Sequence, residues 1–425
     1  MQDDGESGRM DDITAEIQKN IAKRLKILRQ YTSTPGNGVT RLPFSEEARG
    51  AAEYLKNEMA KAGLHSWIDL VGNVRGFLPA EDPEAQVILM GSHYDTVKNG
   101  GEYDGIAGVV CAISTAEALI KQGKKRKYAL EIIAFNDEEG MMFGSGCLGS
   151  KALTGLVDQH YIEHLTDENG ISIKEWMLRW GSDPAQIATL KLDLNKVRAF
   201  FEIHIEQGPV LYEEKEDIGI VNCIVGLLRC MITVNGRADH AGTTPMNMRK
   251  DSINIASKVI AKLDEFAAEE YNGSVATCGF IRAFPNAMNV VAKKCEFTMD
   301  IRSSQNESIR NIKDKAWKLL YDSAEAVGAK CDLDIKLRQP AVTMNKQLVE
   351  LLKVKCAEHH YKYREMVSGA AHDAMIFADK VETVMVFVPS AWGRSHCPEE
   401  FSHYSDLAKA VQIVTETIED LNQEY

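Results

Sequence analysis

Short apolar or β-branched runs alternating with amphipathic helical stretches constrain this chain more than any other feature. Residues 86–90 (QVILM), 129–135 (ALEIIAF), 198–204 (RAFFEIH) and 383–389 (TVMVFVP) each have strand length and strand composition. Helical periodicity fills the intervals, beginning with residues 13–31 and 45–62, the second closed by Gly63 where a C-cap belongs. Strands that alternate with helices imply an α/β domain with a mostly parallel sheet. At 425 residues the chain exceeds what one hydrophobic core usually supports, so two domains are expected.

The second domain shows as a break in this rhythm. Residues 227–234 read as a strand, 252–271 as a helix, 275–283 and 294–302 as strands, 307–327 as a helix and 331–337 as a last strand. That β-α-β-β-α-β order is the ferredoxin-like arrangement, a complete small α+β domain. Both of its ends return to α/β-like sequence. The chain therefore reads as a domain in two parts, residues 1–225 and 338–425, interrupted by an inserted unit at 226–337.

Four of the α/β strands run into residues that bind metals or move protons: His93 and Asp95, then Asp137, Glu138 and Glu139, then His204 and Gln207, and last Ser395 and His396. In open α/β sheets the ligand crevice lies outside the carboxyl ends of the strands, so positions far apart in sequence converge there. Imidazole nitrogen and carboxylate oxygen are the donors preferred by zinc and similar divalent ions. His93 and Asp95, two apart, share one side of an extended segment, where a carboxylate can orient the imidazole. Asp104 follows in GGEYDGIAG, on a glycine-rich turn leading into a helix. Glu138 and Glu139 are neighbours, so an extended backbone would point them to opposite sides. One could then ligate a metal while the other takes a proton from metal-activated water and passes it to the leaving group. His65, His160, His164, His359, His360 and His403 have no such setting and read as ordinary polar residues.

A competing signal overlaps the acidic cluster. Gly144, Gly146 and Gly149 spell G-x-G-x-x-G, the spacing of dinucleotide-binding turns. Such a turn should follow its strand immediately, whereas residues 136–143 intervene and bring three carboxylates that would repel a pyrophosphate. The glycines therefore read as a tight connection into the following helix. The net charge of -13 argues against nucleic-acid or anionic-membrane surfaces, and the run KKRK at 124–127 reads as a solvated loop. Nine cysteines, odd in number and without C-x-x-C pairs, suit reduced thiols in a cytoplasmic protein. The opening MQDDGESGRMDD is the opposite of a signal peptide and is expected to lack fixed structure; no apolar run reaches membrane-spanning length.

Six blocks, GSHYDTVKNGGEYDG, NDEEG, HIEQGPVL, DHAGTTPM, SGAAHDA and SHCPEE, together resemble the signatures of the hydantoinase/carbamoylase amidases. That family includes N-carbamoyl-L-amino-acid hydrolases and allantoate amidohydrolases, within the two-metal aminoacylase and carboxypeptidase superfamily. The resemblance implies two divalent ions per subunit (zinc, or manganese, cobalt or nickel) bridged by Asp104, with His93 and His204 completing one site and Glu139 and His396 the other. It implies Glu138 as general acid/base, Asp95 as support for His93, and His240 as the group that stabilises the oxyanion. Gln207 and the turn Gly369, Ala370, Ala371 and His372 would line the substrate pocket, although SGAGHDA is more usual than this SGAAHDA. Asn289 and Arg302 would hold a substrate carboxylate. In residues 295–302, Glu296, Thr298, Asp300 and Arg302 share one face and Phe297, Met299 and Ile301 the other, as in a half-buried sheet.

The expected activity is hydrolysis of the ureido group of N-carbamoyl-L-amino acids to amino acid, ammonia and carbon dioxide, with allantoate as the alternative substrate. HIEQGP disfavours a dipeptidase or aminoacylase, and the presence of Glu138 disfavours a metal-binding protein without activity. The inserted domain would serve as lid and pair two chains into a homodimer.

Overall fold

In the computed structural model the backbone is described from Asp3 to Gln423 and the side chains from Thr14 onward. The chain falls into two compact units. The larger comprises residues 1–222, 344–366 and 372–425, and the smaller comprises residues 223–343 with 367–371.

In the larger unit Val87–His93 is central, pairing in parallel with Ala129–Phe135 on one side and Val197–Ile205 on the other. Val197–Ile205 pairs in parallel with Thr383–Val388. Every residue of Ala129–Phe135 and Thr383–Val388 is buried, as a strand covered on both faces requires. The flanks are antiparallel: Val74–Leu78 and His65–Ile68 on one side, Ile218–Ile224 on the other. Helix Ile106–Gln122 packs on the central strands and Tyr404–Gln423 packs on that helix. Because the central strands run the same way, their carboxyl ends lie along one edge; His93 is level with Phe135, and Val388 with Ile205. That alignment gathers the site.

The smaller unit is an antiparallel sheet in the order Ile281–Phe284, Lys294–Ser303, Gly226–Asn235, Lys330–Gln339, with Val275–Thr277 also paired to Lys294–Ser303. Phe297, Met299 and Ile301 are fully buried beneath helices Ser252–Ile260 and Asn306–Glu325, together with Ile232, Val259, Ile312 and Leu320. Arg229, Thr298, Asp300 and Arg302 occupy the open face.

Three expectations are corrected. The first helix spans Asp3–Leu28, so the opening segment is helical from Asp3, while Met1 and Gln2 lie outside the described residues. The helix expected over 252–271 breaks into Ser252–Ile260 and Leu263–Ala268. The strand expected over 275–283 breaks into Val275–Thr277 and Ile281–Phe284, with Gly279, a poor strand former, in the interruption. The helix Glu46–Lys61 starts as read, with the Ser45 hydroxyl accepting from the Ala48 N–H. Among the described residues no helix is long and apolar enough to cross a membrane, and all nine cysteines are free thiols.

Candidate metal centre

Five of the expected donors meet at the strand-end edge. Asp104 divides its oxygens: Oδ1 faces His204 Nε2 at 3.3 Å and His93 Nε2 at 3.7 Å, while Oδ2 faces His396 Nε2 at 3.0 Å. Glu139 Oε1 lies 3.3 Å from the same His396 nitrogen, and the two buried imidazoles approach at 3.5 Å through Nε2. Within two sets, His93 with Asp104 and His204, and Asp104 with Glu139 and His396, one potential donor atom per residue falls within 4.8 Å of the others. The tautomers of two rings are fixed from behind. His93 Nδ1 donates to the Asp95 carbonyl at 3.0 Å and His204 Nδ1 to the Ile205 carbonyl at 2.9 Å, leaving each Nε2 lone pair aimed inward.

These residues fit divalent cations by donor chemistry and by charge. Asp95, Asp104, Glu138 and Glu139 crowd the histidines. Burial alone would lower the His93 pKa, but a hydrogen bond to Asp104 and the surrounding carboxylates raise it well above its ordinary value. Hydrogen bonds to Asp104 and Glu139 lift His396 to about 10. Burial works against the Asp104 charge, yet His396 and His93 hold its pKa well below the usual carboxylate range. The pocket thus favours positive charge at the position where a metal would compete with protons. Gln207 Nε2 also donates to both Asp104 oxygens, at 3.3 and 3.1 Å, so this residue sits within the donor ring.

The acidic strand end departs from the expected extended segment. Asp137 adopts a left-handed backbone (φ 63°), and Asp95 accepts from the N–H groups of Glu138 and Glu139 at 3.0 and 3.2 Å. Held this way, Glu138 and Glu139 both bring an oxygen within 4.8 Å of the His93 ring nitrogen set, instead of pointing to opposite sides. The Glu138 carboxyl is pushed well above the ordinary range by burial and then by neighbouring carboxylates, with His93 opposing. Asp95 therefore works through its backbone carbonyl on His93 and through its carboxylate on the glutamates; its Oδ1 is 3.6 Å from the ring.

Two glycines make the close packing possible. A Cβ on Gly146 would stand 2.1 Å from the Glu138 carbonyl oxygen, which accepts the Cys147 N–H. Gly105, at φ +64°, leaves room for the His93 ring, which a Cβ would meet at 2.4 Å. The G-x-G-x-x-G spacing thus serves a connection that folds back on the acidic segment.

His372, expected in the pocket wall, packs against one of the donors. It is 1% exposed, edge-on to His204 with ring centroids 4.5 Å apart, and burial drives its pKa well below the ordinary value. Glu202, His204 and His372 form a further close donor group, in which Glu202 is the residue the sequence reading did not find. Glu400 was also missed. Its Oε1 accepts the N–H groups of Tyr103 and Asp104 at 2.9 Å each, and its Oε2 the Ser395 hydroxyl at 2.7 Å, so it fixes the Asp104 backbone. Its signal was the second glutamate of SHCPEE.

The remaining expected residues lie in the smaller unit. His240 is exposed on a short strand paired with Val290, and the Ala241 N–H donates to the Asn289 carbonyl. The Nδ1 of His240 accepts from the N–H groups of Gly242 and Thr243 at 3.1 and 3.2 Å, which puts the ring proton on Nε2. Arg302 donates through Nε to Asp300 at 3.0 Å and through Nη1 to the Gly369 carbonyl at 2.8 Å; Ala370 N–H donates to the Ser368 hydroxyl.

An α/β sheet with imidazole and carboxylate donors gathered at its strand ends is the arrangement of metal-dependent hydrolases. The chain belongs to peptidase family M20/M25/M40, whose family model it matches over residues 89–420. It is 37% identical over 410 residues to an N-carbamoyl-L-amino-acid amidohydrolase of Paenarthrobacter aurescens, covering 96% of this chain and all of the relative. It is 36% identical over 397 residues to the allantoate amidohydrolase of Escherichia coli, covering 93% and 96%. A crystal structure of a hydantoinase/carbamoylase family amidase from Burkholderia multivorans superposes with a TM-score of 0.86 at 26% identity, covering 96% and 98%.

Proposed function

We propose that the chain is an amidohydrolase of ureido acids, converting N-carbamoyl-L-amino acids to the amino acid, ammonia and carbon dioxide. The observation that carries this reading is the split of Asp104 between two donor groups, with Glu138 Oε2 4.0 Å from His93 Nε2. The name of the Paenarthrobacter relative supports the substrate class, and that of the Escherichia coli relative supports allantoate as the second reading. His93 and His204 would hold one divalent cation, Glu139 and His396 the other, with Asp104 between them; zinc, manganese, cobalt and nickel all suit these donors. The chemistry such a pair supplies when bound is polarisation of the ureido carbonyl and a lowered pKa of water.

The chain's own groups do the rest. Glu138 accepts the proton of the attacking water and returns it to the departing nitrogen. His240 offers Nε2–H to the oxygen that becomes negative at the tetrahedral stage. Arg302, with Asn289, pairs with the substrate carboxylate through its guanidinium fork. Gln207 and the turn at Gly369 and Ala370 contact the substrate, and Asp95 keeps His93 and Glu138 in register. Water adds to the ureido carbon, ammonia leaves, and the carbamate formed loses carbon dioxide to give the free amine.

A homodimer joined through the smaller unit and a cytoplasmic setting belong to the same reading. The support for the homodimer is the exposure of Met246, Met248 and Met288 on that unit, apolar surface that a partner would cover. Sedimentation gives the assembly state. The deciding experiment is ammonia release by the metal-loaded protein on N-carbamoyl amino acids, allantoate, ureidoglycolate and a dipeptide. Turnover of the dipeptide alone would overturn the reading.

A further inference from the structure

Beside Arg302 the smaller unit holds a surface cavity of about 820 Å³. Its apolar lining includes Val225, Val275, Phe280 and Val367, the last three 52%, 42% and 42% exposed. Its charged lining is Arg229, Asp300 and Arg302, and these are already committed to one another. Asp300 Oδ2 takes Arg229 through Nε at 3.0 Å and Nη2 at 2.7 Å, while Oδ1 takes Arg302 Nε at 3.0 Å. Thr298 Oγ1 accepts the Phe280 N–H at 3.1 Å.

Two arginines and one aspartate leave a single net positive charge. Arg229 spends Nε and Nη2 on Asp300, and Arg302 spends Nε on Asp300 and Nη1 on Gly369, keeping Nη2 for a ligand; the single net charge matches one carboxylate and not a second. A second ureido group or a second carboxylate would be desolvated among valines and a phenylalanine, which costs binding when no partner compensates. An aliphatic or aromatic group there would instead cover apolar surface that water now touches.

We infer that the substrate carries one carboxylate and an uncharged, apolar side chain, the carboxylate on Arg302 and the side chain against Val275 and Phe280. This rests on the ureido-acid reading and narrows it to N-carbamoyl derivatives of amino acids such as leucine and phenylalanine. Asp300 becomes a positioning residue that aims Arg302 and neutralises Arg229.

The test uses the full-length, metal-loaded protein. kcat/KM for N-carbamoyl-L-leucine and N-carbamoyl-L-phenylalanine should exceed that for N-carbamoylglycine, N-carbamoyl-L-aspartate and allantoate by about tenfold or more. Phe280→Ser, and Val275→Thr as the variant that keeps the shape, should raise KM for the leucine compound and leave N-carbamoylglycine unchanged. Faster turnover of the aspartate compound or of allantoate overturns the inference, as does an equal loss on every substrate. If no ureido compound is hydrolysed, the functional reading has failed, and calorimetry of L-leucine against L-aspartate judges the cavity alone. Tighter L-leucine binding that weakens in Phe280→Ser supports the cavity's role, and indistinguishable binding rejects it.

Discussion

Glu138 is largely buried, at 9% exposed, with its carboxylate touched by the Cys147 thiol at 3.6 Å and its N–H held by Asp95. Glu138→Gln keeps that shape and removes the proton acceptor. Turnover should fall by about 10²- to 10⁴-fold while metal content is unchanged, as read by single-turnover kinetics and elemental analysis. Near-normal rates would remove Glu138 as the acid/base. Gly105 sets a different kind of limit. Its φ of +64° disfavours any side chain, and a methyl group would lie 2.4 Å from the His93 ring. Gly105→Ala should displace the His93 ring and weaken metal binding by about tenfold or more in competition with a chromophoric chelator. Unaltered affinity would mean that His93 is not a ligand.

Elements were legible in the sequence where periodicity alone determines them. The central strands and the capped helix Glu46–Lys61 follow from apolar runs and Ser45, and the alternation of residues 295–302 fixed which face of the smaller sheet is buried. The family blocks single out His93, Asp104, Glu139, His204 and His396, the donors that the fold gathers at the strand ends. What stayed hidden depends on backbone at single points. Asp137, Gln207 and His396 all have positive φ, so neither the side shared by Glu138 and Glu139 nor the placement of Gln207 in the donor ring follows from strand alternation. Glu400 and Glu202 act by accepting backbone N–H groups, from Tyr103 and Asp104 and from Ala374, pairings that strand alternation does not encode. The helical layer carries a testable pH dependence of its own. Arg24 joins helix Asp3–Leu28 to Glu58 and Glu117 on two other helices, with Arg24 Nε 3.1 Å and Lys61 Nζ 2.7 Å from Glu58. Burial opposes the Glu58 charge, but these hydrogen bonds hold its pKa below 4.5. A depressed carboxylate contributes stability above its unfolded pKa, and the contribution disappears as pH falls through the folded value. Glu58→Gln should therefore cost about 1–3 kcal/mol near neutrality and progressively less below pH 4.5. A loss that does not depend on pH would show that packing, not charge, is what Glu58 supplies.

At the scale of the molecule, metal and stability are linked unequally across the two units. All five donors belong to the larger unit, whereas the smaller one buries its own core of Ile232, Phe297, Met299, Ile312 and Leu320. A ligand that binds only the folded form stabilises it by about 2.7 kcal/mol at a hundred times its dissociation constant. For a unit as large as the metal-bearing one that corresponds to roughly 4 °C in melting temperature. Chelation should lower one calorimetric transition by that amount, abolish ammonia release, and leave a second transition from the smaller unit in place. Zinc, manganese or cobalt should restore both the transition and the activity, and the most effective ion identifies the best match to this donor set. A metal-insensitive melt with full activity after chelation would reject the metal centre. A single transition that moves as one would instead show that the smaller unit melts together with the metal-bearing one.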